Sequence, residues 1–361
     1  MEIEKKYRKN HMYFVSFIIP VYNLKEEELE NCINSVVNQT VERSLYEIII
    51  VDDGSNNGIE KLCDSLGKRY EATVIHQQNQ GLAVARNTGM KASQGKWIVH
   101  VDGDDWIERD LVESLMSFDK KEADIVVWGY VIKNGNKKQE LLLRNKAAFN
   151  EDYSLIKEKV LCSILDYDSS FSALALNTSW GKAYRREFIE QNGLFYNPAL
   201  RRAQDAVYNL YAFDRVKNLG YIDKALNYYR ADNVSLSRGF NPKTFDYLQE
   251  TAKAVEGFVD RQTTSPRLKE AAAAFVQRCF RMINLQYYQH KGNRQSYRSR
   301  RKAFLSGMET EPFRSAFAMK VNRPGAMNRI TDFLYGHRLF GCIAIFNQIV
   351  VIASNVRRRF I

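Results

Sequence analysis

Three carboxylates fall within four residues at Asp102-Gly103-Asp104-Asp105, directly after the apolar stretch Trp97-Ile98-Val99-His100-Val101. Anionic side chains this close repel one another, so the cluster points to a cation. Mg²⁺ or Mn²⁺ favours oxygen ligands and commonly reaches substrate phosphates through one or two carboxylates. The competing reading is structural: Asp105 caps a helix beginning near Trp106, and Asp102 closes an Asx-turn. Two further turn-forming clusters, Pro20-Val21-Tyr22-Asn23 and Asp52-Asp53-Gly54-Ser55, also follow apolar runs and strengthen the case for a site.

Such clusters need elements that bring them together. Apolar runs rich in β-branched residues recur at 14–19, 46–51, 72–75, 97–101 and 123–128, and their near-continuous hydrophobicity predicts strands buried on both faces. Segments 28–37 and 59–70 carry helical spacing between them. Strand and helix in alternation predict an α/β fold with a doubly wound, mostly parallel sheet and right-handed crossovers. Ligands of such sheets bind beyond the carboxyl ends of the strands, which is where all three clusters fall. No GxGxxG follows the first strand and no GxxxxGK[ST] occurs, which argues against dinucleotide and P-loop binding.

Four ordered motifs then stand out: FIIPVYN (17–23), IVDDGS (50–55), NQGLAVARNTGMKASQGKWI (79–98) and VDGDD (101–105). Together they resemble the nucleotide-sugar domain of the family 2 glycosyltransferases, which have the GT-A fold. Trp180-Gly181-Lys182-Ala183-Tyr184-Arg185-Arg186 resembles the segment that follows this domain in many bacterial members. Tyr229-Arg230, with Asn233, Ser235 and Ser237, resembles a later loop. The likeness covers residues 14–240. It divides the chain into an N-terminal arm (1–13), a nucleotide-sugar-binding half (14–130), an acceptor-binding and catalytic half (131–240) and a helical basic C-terminal region (241–361).

The resemblance implies roles that chemistry supports. Tyr22, beside Pro20, stacks on the base, and the Asp53 carboxylate accepts the N3–H of uracil. The plainer alternatives are a tyrosine packed at the sheet edge and an ordinary turn. Asp102 faces the ribose, Asp104 binds Mn²⁺ or Mg²⁺ across the diphosphate, and Asp105 supports that end of the site. Arg86 serves the diphosphate or pairs with the aspartates, against an ordinary helix-surface arginine. Gly95 reads as a helix C-cap.

Inverting transfer from a nucleotide sugar needs one carboxylate to take the proton of the acceptor hydroxyl, while a metal neutralises the leaving diphosphate. Family members supply that base from a Glu-Asp pair opening a helix. Here the segment reads Ala203-Gln204-Asp205-Ala206, so Asp205 is the expected base and Gln204 replaces the first acid. The structural alternative for Asp205 is a helix N-cap beside Arg201 and Arg202. Trp180 and Lys182 are sugar or acceptor candidates, Trp180 as a stacking platform or a core residue.

The 361 residues suffice for more than one domain, and five scattered cysteines match no zinc spacing and suit reduced thiols in a cytosolic protein. The N-terminal stretch has no long apolar region, so no signal peptide is expected. Residues 291–361 hold 14 Lys+Arg against 3 Asp+Glu, a surplus of +11 that equals the net charge of the whole chain. An apolar run at 339–353, interrupted by Asn347-Gln348 and followed by Arg357-Arg358-Arg359, falls short of the roughly 20 residues that span a bilayer. It suits an interfacial helix on an anionic membrane surface, with a helical cap as the alternative. Nothing accompanies the basic tail that would suit nucleic acid.

The expectation is therefore a metal-dependent inverting glycosyltransferase, cytoplasmic and peripheral at the membrane. It would move sugar from a UDP-sugar donor to a hydroxyl of a lipid-linked cell-surface glycan such as exopolysaccharide or capsule. The rivals are a nucleotidyltransferase, which lacks its Gly-rich basic loop here, and a non-catalytic partner subunit, which only Gln204 favours.

Overall fold

The computed structural model describes residues 7, 12–144, 146, 149, 152–231, 239–261, 265–322 and 325–360, the last ten as backbone. Asn233, Ser235 and Ser237 lie outside the described residues. The chain forms two compact units, Met1–Val234 and Ser235–Ile361.

In the first unit, β1 (Val15–Val21) pairs in parallel with β2 (Tyr46–Asp52) and β4 (Trp97–His100), and β2 with β3 (Thr73–His76). The connections run through α1 (Glu26–Val37), α2 (Ile59–Tyr70) and α3 (Leu82–Ala92). The parallel order expected from the alternation holds across these four strands. It ends at β8 (Lys182–Arg185), which enters antiparallel between β4 and β6 (Ile125–Asn134). The sheet then continues to β9 (Leu219–Arg230), parallel to β6, and to the short β5 (Trp106–Ile107). β7 (Lys137–Leu141) closes a hairpin on β6. Position 130 lies inside β6, so the two halves expected to meet there share one sheet.

Several local expectations change. β3 was expected to be buried on both faces but forms the sheet edge, with Thr73 and His76 exposed, because it has a partner on one side only. Pro20 lies within β1 rather than beyond it. A central strand tolerates it because the pairing with β4 stops at Ile18, leaving no ladder bond for the missing N–H on that side. No helix begins at Trp106; that residue opens β5, and α4 (Leu111–Met116) starts later. Gly95 is not a C-cap. α3 ends at Ala92 with Ser93 as its C-cap, and the Gly95 N–H donates to Ser16 Oγ (2.7 Å) where a Cβ would stand 2.6 Å from the Ser16 nitrogen.

The first core packs α1, α2 and α4 on one sheet face through Phe17, Ile48, Ile50, Trp97 and Val99. The other face carries Ile49, Val51 and Ala85 of α3. α5 (Tyr153–Ile164), α6 (Arg186–Gln191) and α7 (Gln204–Arg215) complete this unit.

The second unit is helical, as expected: α8 (Thr244–Arg261), α9 (Pro266–Ile283), α10 (Tyr297–Met308), α11 (Phe313–Ala318), α12 (Ala326–Gly336) and α13 (Phe340–Phe360). Aromatic rings form its core, with Phe280 within 5.4 Å of Phe304 and Phe304 within 5.0 Å of Phe340. α13 runs unbroken through Asn347-Gln348, and the Asn347 side chain donates to Gln289 Oε1 (3.2 Å). Among the described residues no helix is long and apolar enough to cross a membrane.

Candidate active site

The turns after β1 and β2 clasp each other. Asn23 N–H donates to Ser55 Oγ (3.0 Å), and Asn56 N–H donates to Asn23 Oδ1 (2.9 Å). Tyr22 stands beside this clasp with 40 % of its surface exposed, a ring open to a planar ligand. Asp53 is buried and organises the segment that leads into α3. Its Oδ1 accepts from Gln77 Nε2 (2.7 Å) and the Gln80 N–H (2.9 Å), and its Oδ2 from the Gly81 N–H (2.7 Å). A carboxylate has about four acceptor positions, so one on Oδ2 remains for a ligand N–H. Beneath it, Asp52 Oδ2 meets His76 Nδ1 at 2.8 Å, and this bond, with a second from Asp64, raises the imidazole above its ordinary pKa.

Arg86 is wholly buried, not a helix-surface arginine. It projects from α3 to the carboxyl end of β4, where Nη2 meets Asp102 Oδ1 at 2.8 Å and Nη1 meets Asp205 Oδ1. Its guanidinium also lies 5.4 Å from the Tyr196 ring centroid. Residues 119 positions apart in the chain are thus joined at one point. Asp205 is the second residue of α7 and its carboxylate is engaged by Arg86, which replaces the N-cap alternative; Ala203 holds that position. Burial pushes the Asp205 carboxyl above the ordinary carboxylate range, with the Arg86 cation opposing and the Asp102 anion adding to the rise. Gln204 is buried at the head of the same helix.

Of the other two aspartates, Asp105 is buried and its Oδ1 accepts the Arg230 N–H (2.9 Å). Burial, then the charges of Asp104 and Asp102, hold its carboxyl well above the usual range. Asp104 is half-buried between them. Among the described residues no three metal-ligating side chains converge. That donor set fits a hard cation held by one or two carboxylates and completed by ligand oxygens, and does not fit an all-protein cage.

Lys182 does not reach open surface. Its Nζ donates to the carbonyls of Ala175 (2.5 Å), Thr178 (2.6 Å) and Trp180 (2.9 Å). Three acceptors match the three N–H bonds of an ammonium, although burial pulls its pKa down to about 7. The sugar-contact expectation for Lys182 therefore gives way to a scaffold that shapes the 175–180 loop. Trp180 on that loop is largely buried but stacks on exposed Tyr229, with centroids 5.8 Å apart.

Sequence reasoning passed over Asn87 and Asn209. Asn87 clamps Tyr196 through both backbone groups at 2.8 Å, and its position beside Arg86 in the quoted motif was the available signal. Asn209 joins Tyr184 Oη (2.6 Å) to the Thr178 carbonyl (2.7 Å), and nothing in its neighbours marks it.

Residues 16–193 match the profile of Glycosyl transferase family 2. The chain is 30 % identical over 266 residues to the uncharacterized glycosyltransferase EpsJ of Bacillus subtilis (strain 168), covering 73 % of this chain and 74 % of that one. It is 28 % identical over 253 residues to the poly(ribitol-phosphate) beta-N-acetylglucosaminyltransferase TarP of Staphylococcus aureus (strain N315), covering 67 % and 72 %. In fold it is similar to S. aureus TarS 1–349 solved with UDP, at TM-score 0.59 and 14 % identity over 94 % of this chain and 91 % of that one, which shows the GT-A architecture.

Proposed function

Because the chain belongs to glycosyl transferase family 2, we propose that it is a metal-dependent, inverting enzyme that moves a sugar from a UDP-sugar to a hydroxyl of a lipid-linked cell-surface glycan. Family membership makes it a glycosyltransferase; the donor, the metal and the stereochemistry are the added steps. The observation that carries them is the Arg86 bridge between Asp102 and Asp205. It joins Asp102, at the carboxyl end of the sheet, to the partly buried Asp205 near the start of α7. Support for the donor comes from TarS, solved with UDP and with UDP-GlcNAc, and for the cation from a Pyrobaculum calidifontis mannosyltransferase solved with GDP-Man and Mn²⁺.

In this reading Tyr22 stacks on uracil, and Asp53 Oδ2 accepts its N3–H. Asp102 lies toward the ribose and Asp104 binds the cation. A bound Mn²⁺ or Mg²⁺ supplies charge that stabilises the leaving diphosphate. Asp205 Oδ1 is engaged by Arg86, and Oδ2 takes the proton of the acceptor hydroxyl as that oxygen attacks the anomeric carbon opposite the diphosphate. One displacement inverts the centre. Gln204 can still hydrogen-bond at the position where the family resemblance implies an acid. The intact bridge opposes a non-catalytic role.

The basic second unit supports residence at an anionic membrane surface. Ile345 and Ile349 of α13 are 62 % and 58 % exposed, and Arg357 to Arg359 lie in its last turns. At the start of the same helix Phe340 and Ile343 are buried, Phe340 beside Phe304 of the second unit's own core.

The test is UDP release from a panel of UDP-sugars, with GDP- and dTDP-sugars as controls, in Mn²⁺ and in EDTA. Release confined to UDP-sugars, abolished by EDTA and by Asp104→Ala, is expected. Release that is insensitive to EDTA, or indifferent to the base, overturns the assignment.

A further inference from the structure

The far end of the sheet, where β7, β6, β9 and β5 lie side by side, lines up three cations. Lys133 of β6 stands opposite Lys138 of β7 on one side and opposite Arg230 of β9 on the other. Two residues back along β9, Tyr228 pairs with Trp106 of β5, and their rings stack with centroids 5.1 Å apart and 12° between planes. These side chains, with Asn31 of α1 and Glu108, line a cavity of about 360 Å³. Tyr229, offset by one residue, faces the other side of the sheet, where it stacks on Trp180. The loop before Trp180 is tied to the helix of Asp205 by Asn209 Nδ2, which donates to the Thr178 carbonyl (2.7 Å). The row of cations therefore lies across the sheet from the loop that the base's helix holds.

Like charges directly opposite one another on neighbouring strands destabilise a sheet. The rings offset part of that cost. Lys133 Nζ lies 5.1 Å and the Arg230 guanidinium 5.4 Å from the Trp106 ring centroid, and Lys138 Nζ lies 5.4 Å from that of Tyr228. A ring face attracts a cation without cancelling its charge. Among the described residues none of the three cations takes part in a salt bridge. Glu108 accepts from the Tyr228 hydroxyl, and Glu140 stands one pair away, opposite Val131. Arg230 gives its backbone N–H to Asp105 Oδ1 (2.9 Å), while its Nε is buried with no hydrogen-bond partner among the described residues.

A guanidinium fork between two ammonium groups suits a phosphate, whose oxygens accept bidentately from arginine and meet lysine as a point charge. The stacked rings beside it offer apolar surface to the alcohol portion of an ester. We propose that Lys133, Lys138 and Arg230 form a binding site for a phosphate ester, separate from the donor and acceptor sites. The phosphate is that of a soluble ester or of an anionic lipid headgroup. The site stands on register and charge alone and does not depend on the glycosyl-transfer reading.

Calorimetric titration of the full chain with glycerol 3-phosphate, in EDTA so that no metal recruits phosphate to the donor site, tests this. Saturable binding is expected, weaker by about tenfold or more in Lys133→Gln with Lys138→Gln and in Arg230→Gln. Arg230→Lys, which keeps the charge without the fork, should recover part of the affinity. Lys138 is exposed, so Lys138→Gln alone leaves packing untouched and should still weaken binding about threefold. Flotation on phosphatidylcholine vesicles with and without phosphatidic acid, in a background of Arg357→Gln, Arg358→Gln and Arg359→Gln, distinguishes the sources. Phosphatidic-acid-dependent flotation that the double lysine substitution removes assigns the headgroup; soluble binding without such flotation assigns the free ester. Binding to neither probe, or affinity unchanged by the lysine and Arg230→Gln substitutions, overturns the proposal. UDP affinity in Mn²⁺ should be unchanged in the double lysine variant, and its loss in step with glycerol 3-phosphate affinity would overturn the separateness of the site.

Discussion

Asp205→Asn separates chemistry from architecture. Asp205 accepts from Arg86 Nη1, and Arg86 is held on its other side by Asp102 at 2.8 Å. Asparagine keeps an oxygen for Nη1, so the buried guanidinium is not stranded. What is lost is charge assistance, about 1–2 kcal/mol, at the low end for bonds between charged groups because the Asp205 side chain keeps 21 % of its surface in water. In a unit of this size that lowers Tm by a few degrees. The chemical loss is larger. A general base contributes about 10²–10⁴-fold, or about 3–5 kcal/mol of barrier. The assay is UDP release with saturating acceptor, alongside calorimetric titration of UDP in Mn²⁺. Turnover should fall at least about 10²-fold with UDP affinity unchanged. Transfer above about a tenth of wild type would place the base elsewhere, and UDP affinity falling in step with the rate would reduce Asp205 to a support for Arg86.

The pH profile follows from burial, which holds the Asp205 carboxyl above the ordinary range while Arg86 and Lys182 oppose. The base must be ionised, so kcat/KM falls as pH drops through that raised value, and Lys182→Met, by removing a cation, should move the acid limb to higher pH; a limb that stays or moves down contradicts this. Asp104→Ala should remove Mn²⁺-dependent UDP affinity without lowering Tm, since it relieves repulsion; wild-type-like affinity by calorimetry would end the metal assignment. Gly95→Ala forces a Cβ to within 2.6 Å of the Ser16 nitrogen, and denaturant unfolding should show a loss of about 1–3 kcal/mol. Neutralising Arg357, Arg358 and Arg359 to Gln should weaken binding to anionic liposomes by about 3 kcal/mol, roughly a hundredfold, in flotation at low salt. Equal flotation of mutant and wild type rejects the electrostatic anchor.

The strands β1, β2 and β4 were legible because each is a local run of β-branched residues buried on both faces, and their polar successors had to fall at one sheet edge. The family likeness reached Tyr22, Asp53, Arg86, the three aspartates and Asp205 as separate positions along the chain. It could not say that Arg86 is buried, because the burial comes from Tyr196 and from two carboxylates on distant elements. Nor could it place Lys182, whose three partners are backbone carbonyls that any sequence supplies. β8 escaped notice for a related reason: Lys182-Ala183-Tyr184-Arg185 is short and half-charged, and it becomes a strand only because β4 and β6 leave a place between them. Tyr228 and Tyr229 face opposite sides of the sheet by the ordinary alternation of a strand, but their pairing with Val131 and Ile132 depends on the register shifts at Gly129. Local propensity wrote the elements and the chemistry they carry; long-range packing decided which of those groups meet.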